Sequence, residues 1–459
     1  MLGRLTRDIA DRRVARSLEL STWDGMAWAV YWGLAENFLA PLVLALGASP
    51  AQVAWIAAAY AWAIGLANPL GAVLIEHFRR RKIMAMCTVC GHAAATALVF
   101  LVAWRTGSPS LAILIFAAGA FCTFLGNPGW TSWQNDLIPP AIRGAYWGMR
   151  NRIIGMVQLG GMVVAGVSLH YAKTAGREML AFGVLFGVAA LARLSCVWFV
   201  AGQYEPPMAP PTAAGREFRF LTFVGKLFTT NFGRFALFVI LITFSVNVMN
   251  PLVAVYLLQS LEFGYIQFTA IVMAPFITSI IFMTYWGALG DRYGNHRLII
   301  VTALGIPVII LGWILLKNFY LLVLLQVFAG FVWAGFNLAT FNFIFDVVRR
   351  ENVHKIMAYY QTLNNLCTIA GALAGGWLIT RVTGLELPFL APGNYEVVFL
   401  AALGLVVLVI AGFARSFKEV RTVEDAPSLD YFYLYRPMAH LMDQFELMGF
   451  KRSADPDDR

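Results

Sequence analysis

Twelve stretches of this chain are each long and apolar enough to cross a bilayer, and that leaves few folds open to it. A hydrocarbon core about 30 Å thick needs roughly 20 mostly apolar residues per helix. Segments near 26–47, 51–76, 83–104, 110–135, 153–172, 179–201, 235–258, 265–288, 298–316, 319–345, 356–380 and 395–414 meet that need. Composition agrees. Only 13% of the 459 residues are charged, where a soluble chain carries about a quarter. Helices satisfy their own backbone hydrogen bonds in lipid, so the expectation is an all-α integral membrane protein.

A net charge of +9 could signal a nucleic-acid partner, but its distribution says otherwise. Of the 34 Lys and Arg, 28 fall in the N-terminus, alternate loops and the tail, and 5 in the intervening loops. This positive-inside pattern predicts cytoplasmic termini, a bilayer partner and no nucleic acid; the expected location is the cell inner (plasma) membrane. Residues 1–22 lack the apolar core and cleavage site of a signal peptide. They read as a cytoplasmic amphipathic lead-in.

All five cysteines lie in predicted spans, so no disulfide framework is expected. "CTVCGH" (87–92) resembles a haem-attachment run, but Gly91 separates the second Cys from the His. No cofactor or metal is expected, and His92 and His170 read as packing or interfacial residues. No nucleophile–base spacing suggests an enzyme.

The chain repeats itself. "APLVLAL" (40–46) aligns with "NPLVAVY" (250–256), which sets Asn37 over Asn247 and Glu36 over Val246. "GAVLIEHFRRRK" (71–82) aligns with "GALGDRYGNHR" (287–297), Glu76 over Asp291, and "AYWGMRN" (145–151) with "AYYQTLN" (358–364). Three matches in one order at nearly one offset describe a duplication. The expected organisation is a six-helix bundle over 23–201, a cytoplasmic linker over 202–234, a second bundle over 235–415 and a polar tail over 416–459. The linker opens on the proline-rich "QYEPPMAPPTAAG", which cannot be helical. "FRFLTFVGKLF" (218–228) reads as an interfacial segment, and the tail holds one candidate helix near "MAHLMDQFELMGF".

These residues resemble the major facilitator superfamily, whose loop after the second span of each half runs G-x-L-x-D-R-x-G-x-x-R. The second copy matches at Gly287, Leu289, Asp291, Arg292, Gly294 and Arg297; the first has Glu76 for Asp, His77 for Arg and Arg79 for the second Gly. Asp136, Pro139, Arg143 and Gly144 match a further family pattern after the fourth span. The resemblance implies that Glu76 faces the start of span eleven and Asp291 the start of span five, closing the cytoplasmic side. Arg80, Arg81, Arg292 and Arg297 would find Asp136 and Asp346. Span five lacks the Gly-Pro signature of the family's drug antiporters. Glycines in spans five (155, 160, 161, 166) and eleven (371, 375, 376) suit close helix packing.

In that family spans one, four, seven and ten line a central cavity. Here their candidate residues are Trp28, Trp32, Asn37, Asn127, Trp130, Asn247, Asn250, Trp333 and Asn337, with Gln361, Asn364 and Asn365 on span eleven. Each amide or indole could equally be glue between helices. Glu36 differs in kind. An ionised carboxylate inside a membrane costs several kcal/mol, so it must face water, find a partner or keep its proton. Burial strengthens a carboxylate's hold on its proton, the property of a proton-coupling site. A structural pair with Arg193, the other charge within a span, is the alternative. The second half offers amides, aromatics and aliphatics, which suits a neutral or amphipathic solute.

The expected function is therefore secondary transport of a small organic solute by a monomer, with possible proton coupling through Glu36. The alternatives are a non-transporting receptor or assembly factor of the same fold, and a lipid-like cargo.

Overall fold

In the computed structural model of the chain, which describes residues 11–208, 220–348, 353–382 and 394–420, the described residues are helical apart from short connections. Eleven helices are long and apolar enough to cross a membrane, from Pro50–Phe78 to Tyr395–Phe413. The remaining span, the first, is broken into Arg12–Leu34, a 3-10 turn Glu36–Phe38 and Leu39–Ala45. The tail helix proposed near residue 440 lies outside the described residues.

Local chemistry sets the helix ends. Ser49 and Gln52 form a reciprocal capping box at the start of span two, with Pro50 at the first helical position, satisfying amides that have no partner within the helix. Ser108, followed by Pro109, and Asn318 cap spans four and ten by accepting from backbone amides of the first turn. Span two ends on Arg79 in the left-handed region, at φ 51°.

The breaks in spans one and seven follow from their prolines. Pro41 lacks an N–H and its ring crowds the carbonyl four residues back. The helix opens just before it, and the Asn37 amide donates to the Trp32 carbonyl (3.0 Å). In span seven the helix Asn231–Met249 gives way to a 3-10 turn Asn250–Leu252 holding Pro251, and then to a π-turn Tyr256–Ser260. The Asn247 amide donates to the Thr243 carbonyl (2.8 Å). Asn37 and Asn247, aligned in the repeat, thus do the same local job.

Two helices reach further than hydropathy alone predicts. Span one starts at Arg12 without a boundary at residue 22, and buries Leu18, Ser21 and Asp24. Span five starts at Arg143, ten residues before the apolar window, and buries Tyr146 and Arg150. The expected separate lead-in is therefore, from residue 12 on, part of the first helix. The linker contributes one short helix, Phe220–Gly225.

By its contacts the chain divides into two compact units, one of 1–217, 243–270 and 361–402, the other of 218–242, 271–360 and 403–459. Within the first, Phe38 meets Phe268 (6.2 Å) and span eleven packs at Gly376 against Ala54 of span two. Gly33 of span one abuts Gly161 of span five so closely that a Cβ on Gly161 would lie 3.2 Å from the Gly33 Cα. Gly375 of span eleven lies against the Val248 carbonyl of span seven, the corresponding pair of helices.

The duplication is also written in polar contacts. After span six, the Tyr204 amide donates to Ser17 Oγ (2.7 Å), and Glu205 accepts from the Arg81 amide (3.0 Å). After span twelve, the Lys418 amide donates to Asn231 Oδ1 (2.8 Å), and Glu419 accepts from the His296 amide (2.9 Å). In each half the exit from the last span is stitched to the starts of the first and third.

Candidate functional site

A cavity of about 320 Å³ lies inside the first six spans. Span one contributes Asp24, Gly25, Trp28, Tyr31 and Glu36; spans two and three contribute Tyr60, Thr88 and His92; span four contributes Asn127 and Trp130; spans five and six contribute Arg150, Asn151 and Arg193. Its volume sits at the small end of ligand sites, which run roughly 300–1,000 Å³.

Glu36 reaches the cavity because the helix opens there. The Pro41-driven break turns the chain at residues 35–38, and the carboxylate is left among the Tyr60 and Tyr31 hydroxyls and the Trp32 indole. Arg193 acts on it only through space. The guanidinium instead donates Nε to His92 Nδ1 (2.8 Å) and shares the neighbourhood of Asp24. The alternative reading, a structural Glu36–Arg193 ion pair, has no direct contact behind it; the hydrogen bond of the arginine goes to the His92 imidazole. An arginine N–H can only donate, so His92 Nδ1 accepts and the ring's proton is on Nε2. His92, read from sequence as a solitary packing residue, is part of the site; Tyr31 meets it edge-on at 4.5 Å.

Asp24 and Arg150 form the other charged pole. Asp24 feels both Arg193 and Arg150 through space. Arg150 gives Nε to the Ser21 carbonyl (3.1 Å) and stacks over the Trp130 and Trp147 rings at 5.1 and 5.3 Å. Gly25 leaves the space its guanidinium occupies, since a Cβ there would sit 2.7 Å from Nη2. Sequence reading missed both residues because they fall just outside the apolar windows. A signal was present: Asp24, Trp28, Trp32 and Glu36 recur every four residues, one stripe of a helix.

Of the predicted cavity residues, Trp28, Glu36, Asn127 and Trp130 line this space together. Trp32 sits behind, against Trp28 at 6.0 Å. Asn37 and Asn247 serve their own helices, as above. Asn250, Asn337 and Gln361 are exposed, Asn364 and Asn365 half-buried, and Trp333 packs on Phe336 (5.6 Å). None of these second-half residues lines the first-half cavity.

The loop residues divide likewise. Arg81, fully buried, pairs with Asp136 (2.5 Å), reaches Ser132 Oγ (3.2 Å) and gives Nη2 to the Pro206 carbonyl (2.8 Å). Glu205, absent from the sequence expectations, adds a longer ionic contact at 3.7 Å. Arg143 donates to the carbonyls of Asn135 and Ile138, tying off span four. In the second half Asp346 accepts from Asn295 Nδ2 (2.6 Å), an amide in place of the expected arginine. Arg292 lies over the Tyr293 ring at 5.1 Å. Glu76, Arg80 and Asp291 are exposed, and Arg297 is half-buried. Among the described residues no three His, Cys, Asp or Glu come together as metal ligands.

Twelve helical segments in a duplicated arrangement, with a polar cavity enclosed by one set of six, define a polytopic helical carrier. The Major Facilitator Superfamily model matches residues 25–244 and 235–431, and the chain belongs to that family of membrane transporters. It is 26% identical over 203 residues to the "Multi-drug resistance efflux pump PmrA homolog" of Lactococcus lactis subsp. lactis, covering 42% of this chain and 48% of that protein. The chain thus spans about half the length of that curated relative. Among solved structures, an auto-inhibited POT family peptide transporter superposes with a TM-score of 0.65 at 12% identity, over 91% of this chain and 99% of that one. The nucleoside transporter NupG gives 0.61 at 16%, over 89% and 100%. At such identities these two neighbours establish the fold alone.

Proposed function

We propose that the protein is a secondary active transporter of a small organic solute, working by alternating access in an inner membrane, with Glu36 as its proton-coupling residue. The reading treats residues 23–201 and 235–415 as the two moving bundles, with both termini in the cytoplasm. It assigns Glu76, Asp291 and their neighbouring arginines to closing the cytoplasmic side. The observation that carries it is the placement of Glu36: a carboxylate at a helix break, lining a cavity, with phenols and an indole rather than a cation as its nearest polar company. Such a group can exchange a proton without breaking an ion pair.

The name of the Lactococcus relative favours export of organic molecules, whereas the missing Gly-Pro in span five sets this chain apart from drug antiporters.

The test has two stages. Purified protein is screened for metabolites that raise its thermal stability, and a hit is then followed in proteoliposomes under an imposed pH gradient. Wild type should accumulate the solute along the gradient, and Glu36→Gln should exchange it without accumulation. Undiminished gradient-driven accumulation by Glu36→Gln would remove Glu36 from the coupling. Binding without any exchange would make the protein a receptor.

A further inference from the structure

We infer that the first-half cavity takes an organic monoanion, a carboxylate on an apolar or aromatic body, and takes it together with a proton on Glu36. The inference rests on the reading of Glu36 above and adds the class of cargo.

The argument is one of charge balance. Four formally charged side chains line the cavity: the guanidiniums of Arg150 and Arg193 and the carboxylates of Asp24 and Glu36. His92 adds nothing, because it accepts from Arg193 through Nδ1, which a protonated imidazole cannot do. Tyr31 and Trp32 on span one and Tyr60 on span two complete the polar surroundings of Glu36, and they are neutral. With Glu36 ionised, two positive charges meet two negative ones. With Glu36 protonated, one guanidinium is left over in a site shielded from water, and an uncompensated buried charge costs several kcal/mol. A solute bearing one negative charge removes that cost. A cation would add to it, and a neutral solute would leave it.

Arg150 is the guanidinium built to receive the anion. Asp24, on the same cavity wall, feels both arginines through space and balances one. Arg193 commits its Nε to His92. Arg150 is held by the Ser21 carbonyl and the Tyr146 hydroxyl, with its guanidinium carbon over the Trp130 and Trp147 rings and its Nη2 against the cavity wall at Gly25. A guanidinium fixed in this way offers a planar donor fork matched to a carboxylate. Trp28, Phe124 and Trp130 supply the apolar walls, and Asn127 and Asn151 stand beside them. The sequence pointed instead to a neutral or amphipathic solute. That expectation was drawn without Asp24 and Arg150 in the site.

Proton and anion must then each tighten the other, since binding free energies are reciprocal. The sign follows from the charges: lowering the pH protonates Glu36, exposes the surplus positive charge and strengthens anion binding. The limit is about tenfold per pH unit while Glu36 is mostly ionised.

Binding is measured by quenching of tryptophan fluorescence in purified protein, at about pH 6 and about pH 8, where simple carboxylic acids are ionised. The probes are hexanoate, phenylacetate and indole-3-acetate, each compared with its neutral amide and with phenethylamine. At least one acid should bind several-fold or more tighter at the lower pH, with its amide and the amine at least tenfold weaker. Glu36→Gln should bind that acid equally at both pH values, near the wild-type low-pH affinity. Arg150→Gln should lose tenfold or more, and Arg150→Lys less. If Arg150→Gln does not fold, the Glu36→Gln profile and the acid-against-amide comparison still decide. Equal binding of the amide or amine, or no binding by any of the acids, overturns the inference. Acid selectivity whose pH dependence persists in Glu36→Gln would instead overturn the role of Glu36 and leave the anion class standing.

Discussion

The two halves of this molecule share a plan and differ in charge. Spans one and seven break at aligned prolines, and aligned asparagines bind carbonyls one turn back. The exits from spans six and twelve are stitched down by matched contacts. The first half nevertheless carries Glu36 where the second has Val246, and Arg81 on Asp136 where the second has Asn295 on Asp346. Duplication preserved the scaffold contacts, which any bundle of this kind needs to keep its helices together. The acids at the loops and exits are kept in both halves, and what differs is the carboxylate inside span one and the cation on the loop acid.

The largest difference in stability should come from the two loop acids. Arg81 is fully buried, and its removal leaves Asp136, Glu205 and the Pro206 carbonyl without their shared donor. Both acids keep water, Asp136 with 42% and Glu205 with 28% of the side chain exposed, so the loss is that of charge-assisted hydrogen bonds, about 1.5–3 kcal/mol. Arg81→Ala should therefore lower stability by about 2–3 kcal/mol, measured by denaturant unfolding in detergent. Asn295→Ala removes a hydrogen bond to a carboxylate and should cost about 1.5 kcal/mol. Equal losses would mean that the two loops are energetic equivalents despite their different chemistry.

Much of the fold was legible because lipid imposes a simple rule on sequence. Apolar windows located all twelve spans, and the repeat located their pairing. The cavity was legible only in part, for a physical reason. Hydropathy treats each charge as a cost, whereas Asp24, Arg150, Arg193 and His92 offset one another's burial. Windows that start at residues 26 and 153 therefore cut off Asp24 and Arg150. Asn37 and Asn247 failed in the opposite direction. Their amides looked like ligands for a solute but bind backbone carbonyls of their own helices, those of Trp32 and Thr243. A sequence window cannot distinguish those uses, because both need a polar side chain on an apolar helix.

A second comparison concerns the glycines of spans five and eleven. A Cβ on Gly375 would run into the Val248 carbonyl, whose carbon would lie 2.8 Å away, whereas a Cβ on Gly161 would meet the Gly33 Cα at 3.2 Å. A Cβ on Gly160 would meet nothing within 4 Å. Overpacking typically costs about 1–3 kcal/mol. Gly375→Ala should fall near the top of that range, Gly161→Ala near the bottom, and Gly160→Ala should show no overpacking loss. Thermal unfolding of the three variants in one detergent gives the order. A loss at Gly160 as large as at Gly375 would show that helix propensity or lipid contact, rather than close approach, governs these positions.

The smallest effect separates the two loop motifs at a single backbone angle. The repeat aligns Arg79 with Gly294, and both take positive φ, 51° and 87°. The two turns are not alike beyond the sign of φ: Arg79 is left-handed helical at ψ 30°, whereas Gly294, at ψ 152°, takes an extended conformation that glycine alone adopts without crowding at Cβ. An L-residue in the left-handed region costs roughly 1–2 kcal/mol. Part of that is returned at Arg79 by its Nη2 bond to the Met208 carbonyl (3.2 Å). Arg79→Gly should accordingly raise stability by no more than about 1 kcal/mol, while Gly294→Ala lowers it by about 1 kcal/mol. A loss of stability in Arg79→Gly would show that the side-chain contact to the linker outweighs the strain. The departure of the first loop from the family pattern would then be an adaptation to the segment after span six.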